Sequence, residues 1–231
     1  MKKAFTLAET LIVMGIIGVV AALTLPNLNS STGDKEKVAK VKKIYQNLND
    51  AFGRAQAVYG PYNEWFVNDA NSDARTKRAG ERITEFMKTS KVCGTESNKG
   101  CMPKAVKRLD GKGDVSNIDN NSNYYKVILA DGTAIAIYSD IIIFSDIKVD
   151  IDGPNKGPNT YGIDVFAFDI DAENNVLYTY CNEDRLIEEL QKGYYASYWI
   201  MRYDNMDYLK VDSNGKCPDG QMLEDSHPTC K

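Results

Sequence analysis

The chain has 231 residues, 28 Lys and Arg against 32 Asp and Glu, and a formal net charge of −4. That balance argues against bulk attraction to nucleic acid. Its lone histidine, His227 beside Pro228, leaves no Ser-His-Asp or Cys-His constellation to build, so an enzyme is not expected.

Taken in chain order, Lys2 and Lys3 lead into Phe5 to Leu25, which is apolar apart from Thr6, Glu9, Thr10 and Thr24. As a helix this run measures about 30 Å, the thickness of a hydrocarbon core, and so predicts one membrane crossing. A secretory signal would end in small residues, whereas this run ends in Leu23, Thr24, Leu25 and Pro26, and the small residue Ala4 lies ahead of it. Glu9 inside such a helix costs roughly 2.5–3.5 kcal/mol and needs a partner. A cut between Ala4 and Phe5 supplies one. The new Phe5 amine of one copy can pair with Glu9 of its neighbour, a contact of about 4 kcal/mol at an effective dielectric of about 20.

Lys2-Lys3-Ala4, then Phe5-Thr6-Leu7-Ala8-Glu9, then the apolar run to Pro26 closely resemble the class III leader and N-terminal helix of type IV pilins and type II secretion pseudopilins. The resemblance implies cleavage after Ala4 by a prepilin peptidase, methylation of Phe5, and polymerisation through the helix, with Phe5, Glu9 and Pro26 as assembly residues. It also implies a pilin-like α+β fold: a long N-terminal helical spine, membrane half plus amphipathic half, packed on an antiparallel β-sheet. The implied partners are further copies of the chain, other pilins or pseudopilins, the peptidase, an inner-membrane assembly platform with its cytoplasmic ATPase, and the membrane. With Lys2 and Lys3 in the cytoplasm, the expected location is the inner membrane, crossed once, and then a periplasmic or cell-surface filament. The expected boundaries are a leader at 1–4, a transmembrane and assembly helix at 5–26, an amphipathic helix at 34–59 and an extracytoplasmic domain at 60–231.

Asn27 to Gly33 reads as a polar break, after which Asp34 can cap the second helix. Val38, Val41, Tyr45, Leu48, Phe52, Ala55 and Tyr59 recur at threes and fours and give that helix one apolar face. From Gly60 to Asn123 the pattern is weak, with a short helix expected at Ala79 to Thr89 and a loop around Cys93 to Cys101. Arg75 to Lys112 holds 11 Lys and Arg against 4 Asp and Glu, whereas Asp114 to Asp184 holds 3 against 13. Such a swing suits two separately solvated surfaces, head-to-tail complementarity between subunits, or an anion-binding patch. Tyr125 to Leu129, Asp131-Gly132 and Thr133 to Tyr138 carry a strong hairpin signature. Further strands are expected at Ile141 to Asp150, Asp164 to Ile170 and Val176 to Cys181, and then a helix from Glu183 to Lys192, capped by Asn182 and ended by Gly193.

The most site-like segment runs from Asp150 to Asp164, DIDGPNKGPNTYGID, with carboxylates and amides in a Gly- and Pro-stiffened loop. Hard oxygen donors on a tight turn suit Ca²⁺, with Asp150, Asp152, Asn155 and Asp164 as ligands. A loop whose Asp and Asn side chains bond their own backbone is the other reading. The segment also resembles the acidic calcium loop of major pseudopilins. Among five cysteines, Cys93 with Cys101 and Cys217 with Cys230 are the economical pairs, and Cys181 is left over. A zinc site using His227 and Cys230 is the competing use of those thiols. Tyr194, Tyr195, Tyr198, Trp199, Tyr203 and Tyr208 could stack on sugars or single-stranded DNA, or lie half-buried on sheet faces.

These features lead to the expectation of a structural filament subunit of a secretion pseudopilus or type IV pilus-like filament. A tethered adhesin or receptor and a DNA-uptake pilin are the alternatives.

Overall fold

The computed structural model describes residues 7–67, 69, 71–113, 115–140 and 144–230, and of residues 21–32 and 144 the backbone alone. Two compact units result, Met1–Glu36 and Lys37–Lys231. Helix α1 covers Leu7–Tyr59 and ends where Gly60 turns left-handed at φ 83°. The polar residues from Asn27 to Gly33 do not interrupt it, so Asp34 is no cap. Single Asn, Ser and Thr residues cost a helix only fractions of a kcal/mol each.

In the larger unit, Val38, Val41, Ile44, Leu48, Ala51, Phe52 and Ala55 are buried in the main core. Tyr45 fixes this segment to the sheet, its hydroxyl donating to the Leu177 carbonyl at 3.0 Å and its ring lying 5.4 Å from that of Phe168. Six strands form one antiparallel meander in sequence order: β1 Thr89–Gly94, β2 Tyr125–Leu129, β3 Ala134–Asp140, β4 Phe144–Asp150, β5 Val165–Asp171 and β6 Val176–Tyr178. The hairpin signature is realised at β2–β3, where Tyr125 pairs Ile137 and the Leu129 amide donates to the Thr133 carbonyl at 2.8 Å.

Alternation along the strands separates two covered faces. Ile135, Ile137, Ile147, Val149, Phe166 and Phe168 enter the main core, while Ala134, Ala136 and Val165 join a smaller cluster with Met102, Val106, Ile118 and Tyr161. The smaller cluster belongs to the face that also carries Lys126, Asp146, Lys148 and Asp169, so charged side chains are carried into the interior there.

Helix α2 spans Ser72–Thr84, earlier than expected, because Asn71 caps it by accepting from the Ala74 amide at 3.0 Å. It meets β2 so closely at Gly80 that a Cβ there would overlap the Tyr125 ring. Strand β1, which the sequence reading divided between the end of a helix at Thr89 and a loop from about Cys93, exists through its pairing with β2. The stretch from 95 to 123 is organised by the buried Asp119 carboxylate, which accepts from the Gly100, Cys101 and Met102 amides at 3.0, 3.0 and 3.2 Å. Asn182 caps a helical turn at Glu183–Arg185, α3 follows at Leu186–Lys192, and Gly193 ends it at φ 87°. Helix α4, Ala196–Tyr203, was not expected. Burial of Ala196, Ser197, Trp199 and Ile200 supplies what its aromatic-rich sequence lacks in helix propensity.

The membrane-spanning, pilin-like spine has to be corrected. Among the described residues no helix is long and apolar enough to cross a membrane. The fold is α+β with a six-stranded antiparallel sheet, and the single-pass inner-membrane location is withdrawn with the spine.

Candidate functional site

The cleavage residues Ala4 and Phe5 lie outside the described residues, and the side chain of Pro26 is likewise not described. Glu9 is exposed in the first turn of α1, where a carboxylate offsets the positive end of the helix dipole by about 0.3–1 kcal/mol. Around it the described surface is apolar: nine large hydrophobic side chains between Leu7 and Val20 are 48–81% exposed.

The Asp150–Asp164 loop joins β4 to β5, and the pairing of Asp150 with Val165 brings its two ends together. Both terminal carboxylates are buried, Asp150 fully and Asp164 to 1% exposure. Asp150 Oδ1 accepts from the Asp152 and Gly153 amides at 3.2 and 2.9 Å, and Asp164 accepts from the Asn159 and Thr160 amides at 2.7 and 2.6 Å. These are the bonds of a self-satisfied loop, but they do not close the accounting. Asp150 Oδ2, Asp152 Oδ1 and Asn159 Oδ1 are buried without a hydrogen-bond partner, and each such acceptor costs about 1–3 kcal/mol.

Burial pushes Asp150 up to about 7, against the pull of the Gly153 and Asp152 amides, and the Asp152 carboxylate adds to the rise. Asp164 is raised by burial as well, with a further contribution from Asp152. The loop thus offers hard, partly unpartnered oxygens of the kind Ca²⁺ takes, but among the described residues its carboxylates do not converge into a ligand group, and Lys156 lies within the same loop. Asn155 is exposed, and the amide oxygen left without a donor belongs to Asn159. The sequence signal for Asn159 was its place between Pro158 and Thr160, where it turns the chain at φ 54°.

Cys93–Cys101 and Cys217–Cys230 are bonded, and Cys181 is free. Cys217, Asp219 and His227 do cluster, but the disulfide occupies both thiols that the zinc reading needed. The basic stretch is largely spent on internal partners. Arg75 pairs with Asp140 at 3.0 Å, Arg78 with Asp69 at 2.6 Å and Arg108 with Asp110. Arg82 lies over the Tyr59 and Trp65 rings, 4.5 and 5.4 Å from their centroids. Among the aromatics, Trp199 and Tyr208 are core residues, with Tyr203 stacked 4.3 Å from Trp199. Tyr194, Tyr195 and Tyr198 instead line a cavity over β4 and β5. No protein-family model, curated protein or solved structure matches this chain.

Proposed function

We propose that the chain is a filament subunit of the pilus or pseudopilus kind, processed after Ala4 and polymerised through its N-terminal helix. The observation that carries this reading is the exposed apolar surface of Leu7 to Val20 with Glu9 at its head. Nine large apolar side chains left in water are unfavourable by on the order of 10 kcal/mol. Side-by-side packing of copies removes that surface from water, and a repeated head-to-tail contact that does not close generates a filament. The Phe5 amine of one copy then faces Glu9 of the next and sets the axial register. Two disulfides suit a subunit exposed to oxidising surroundings. In the same reading Asp150, Asp152, Asn159 and Asp164 would hold Ca²⁺, drawing together oxygens that stand apart without it.

Co-expression of the full chain with a prepilin peptidase tests the proposal. Mass spectrometry should find a chain beginning at Phe5, electron microscopy should find filaments, and Glu9→Ala should be processed normally yet assemble poorly. An intact Met1 start in the presence of active peptidase, or filaments of Glu9→Ala indistinguishable from wild type, would refute it.

A further inference from the structure

The face of β4 and β5 opposite the main core holds a cavity of about 180 Å³ that the filament reading does not use. Strand register puts Lys148 beside Ala167 and Asp146 beside Asp169, and of these Lys148 and Asp169 line the cavity. Lys148 is ion-paired with Asp146, and Asp169 Oδ2 accepts from the Tyr180 amide at 3.2 Å. Ser197 of α4 also lines the cavity. It is 2% exposed, and its hydroxyl has no hydrogen-bond partner. Tyrosine rings line the cavity in two edge-to-face pairs, the buried Tyr161 with Tyr194 at 5.1 Å and Tyr180 with Tyr195 at 5.8 Å. Tyr180 and Tyr194 are 48% and 38% exposed.

We propose that this cavity binds a neutral sugar ring, stacked on Tyr180 or Tyr194 and hydrogen-bonded by Asp169, Lys148 and Ser197. Volume excludes large ligands, since pockets for drug-sized molecules run from about 300 to 1,000 Å³. Charge disfavours ions of either sign, because the one lining carboxylate, Asp169, offsets the one lining ammonium, Lys148, which is itself ion-paired with Asp146. A quaternary ammonium would suit tyrosine faces, but Lys148 already supplies a cation to this cavity and would repel a second. What remains is a ligand with an apolar C–H face for the rings and hydroxyls that donate to a carboxylate, accept from an ammonium and do either with Ser197. A sugar ring has all of these. The orphaned serine hydroxyl is the observation that distinguishes this cavity from an ordinary crevice: a buried hydroxyl without a partner is costly, and a ligand hydroxyl relieves that cost.

The test is calorimetric titration of the full chain with glucose, galactose and N-acetylglucosamine, and separately with choline and inorganic phosphate. At least one sugar should bind saturably, and neither choline nor phosphate should. Tyr194→Ala and Asp169→Asn should each weaken sugar binding tenfold or more, while Tyr59→Phe on α1 should leave it unchanged. Ser197→Ala removes a hydroxyl that bonds to nothing in the folded chain, so it preserves the fold and should still weaken binding several-fold. Absence of saturable binding for all three sugars, saturation by choline or phosphate instead, or sugar binding unchanged in both Ser197→Ala and Tyr194→Ala would overturn the assignment. The outcome is independent of whether the chain polymerises.

Discussion

Asp119 gathers three backbone amides on one fully buried carboxylate, next to the Cys93–Cys101 disulfide, and the Lys126 ammonium donates to the Asp119 carbonyl at 3.2 Å. Removing that acceptor strands three donors in the interior, so Asp119→Ala should cost about 2–5 kcal/mol, read as a fall in the urea midpoint. Asp169 makes a pH prediction. Burial pushes it up to about 6 from its ordinary 3.8, so between these values the folded chain holds a proton that the unfolded chain has released. Stability attributable to this residue therefore falls as pH rises through that window. Asp169→Asn should remove that part of the slope, and thermal melts of the two proteins across the window should diverge with rising pH in favour of the variant. Parallel melting curves would show that Asp169 titrates normally.

At the scale of elements, the Asp150–Asp164 loop separates two readings that its composition alone leaves equal. Amide bonds satisfy half of its carboxylate oxygens, and three side-chain oxygens remain unpartnered. Calcium should raise the thermal midpoint of the full chain, with about 2.7 kcal/mol gained at a hundred times its Kd, and a chelator should reverse the gain. Asp150→Asn or Asp152→Asn should abolish the response. Asn159→Ala should weaken it and Asn155→Ala should not, because Asn155 is exposed. A midpoint indifferent to calcium would leave the loop as a set of backbone-bonded turns. Elements whose start and stop are chemically local were readable in advance. Asp131-Gly132 turns β2 into β3, and Asn182 and Gly193 bracket the α3 region. Helix α4 was not readable, since Tyr, Trp and Ile are indifferent helix formers and their burial depends on residues far away in sequence.

For the molecule as a whole, the question is what covers the apolar surface at Leu7 to Val20. Lipid was the expectation from the length of the uninterrupted run, and the described helix does not meet the requirement for crossing a membrane. Lateral packing of copies is the cover that the filament proposal invokes, and the Glu9→Ala assembly experiment decides it. The larger unit, Lys37–Lys231, has its own core, two disulfides and a complete meander.

Composition and local pattern by themselves determined the amphipathic face from Val38 to Ala55, the central hairpin, both cysteine pairs and the acidic loop as a place of interest. Each depends on neighbours within a few turns or a short closed loop, where sequence spacing is also spatial spacing. Only the tertiary structure decided that β1 pairs with β2, that Asn159 rather than Asn155 has an orphaned oxygen, and that Tyr180, Tyr194 and Ser197 share a cavity with Lys148 and Asp169. Those outcomes depend on which face of a strand is covered and by what. A period-two pattern states that two faces exist, but distant segments of the chain decide which polar groups end up buried on them.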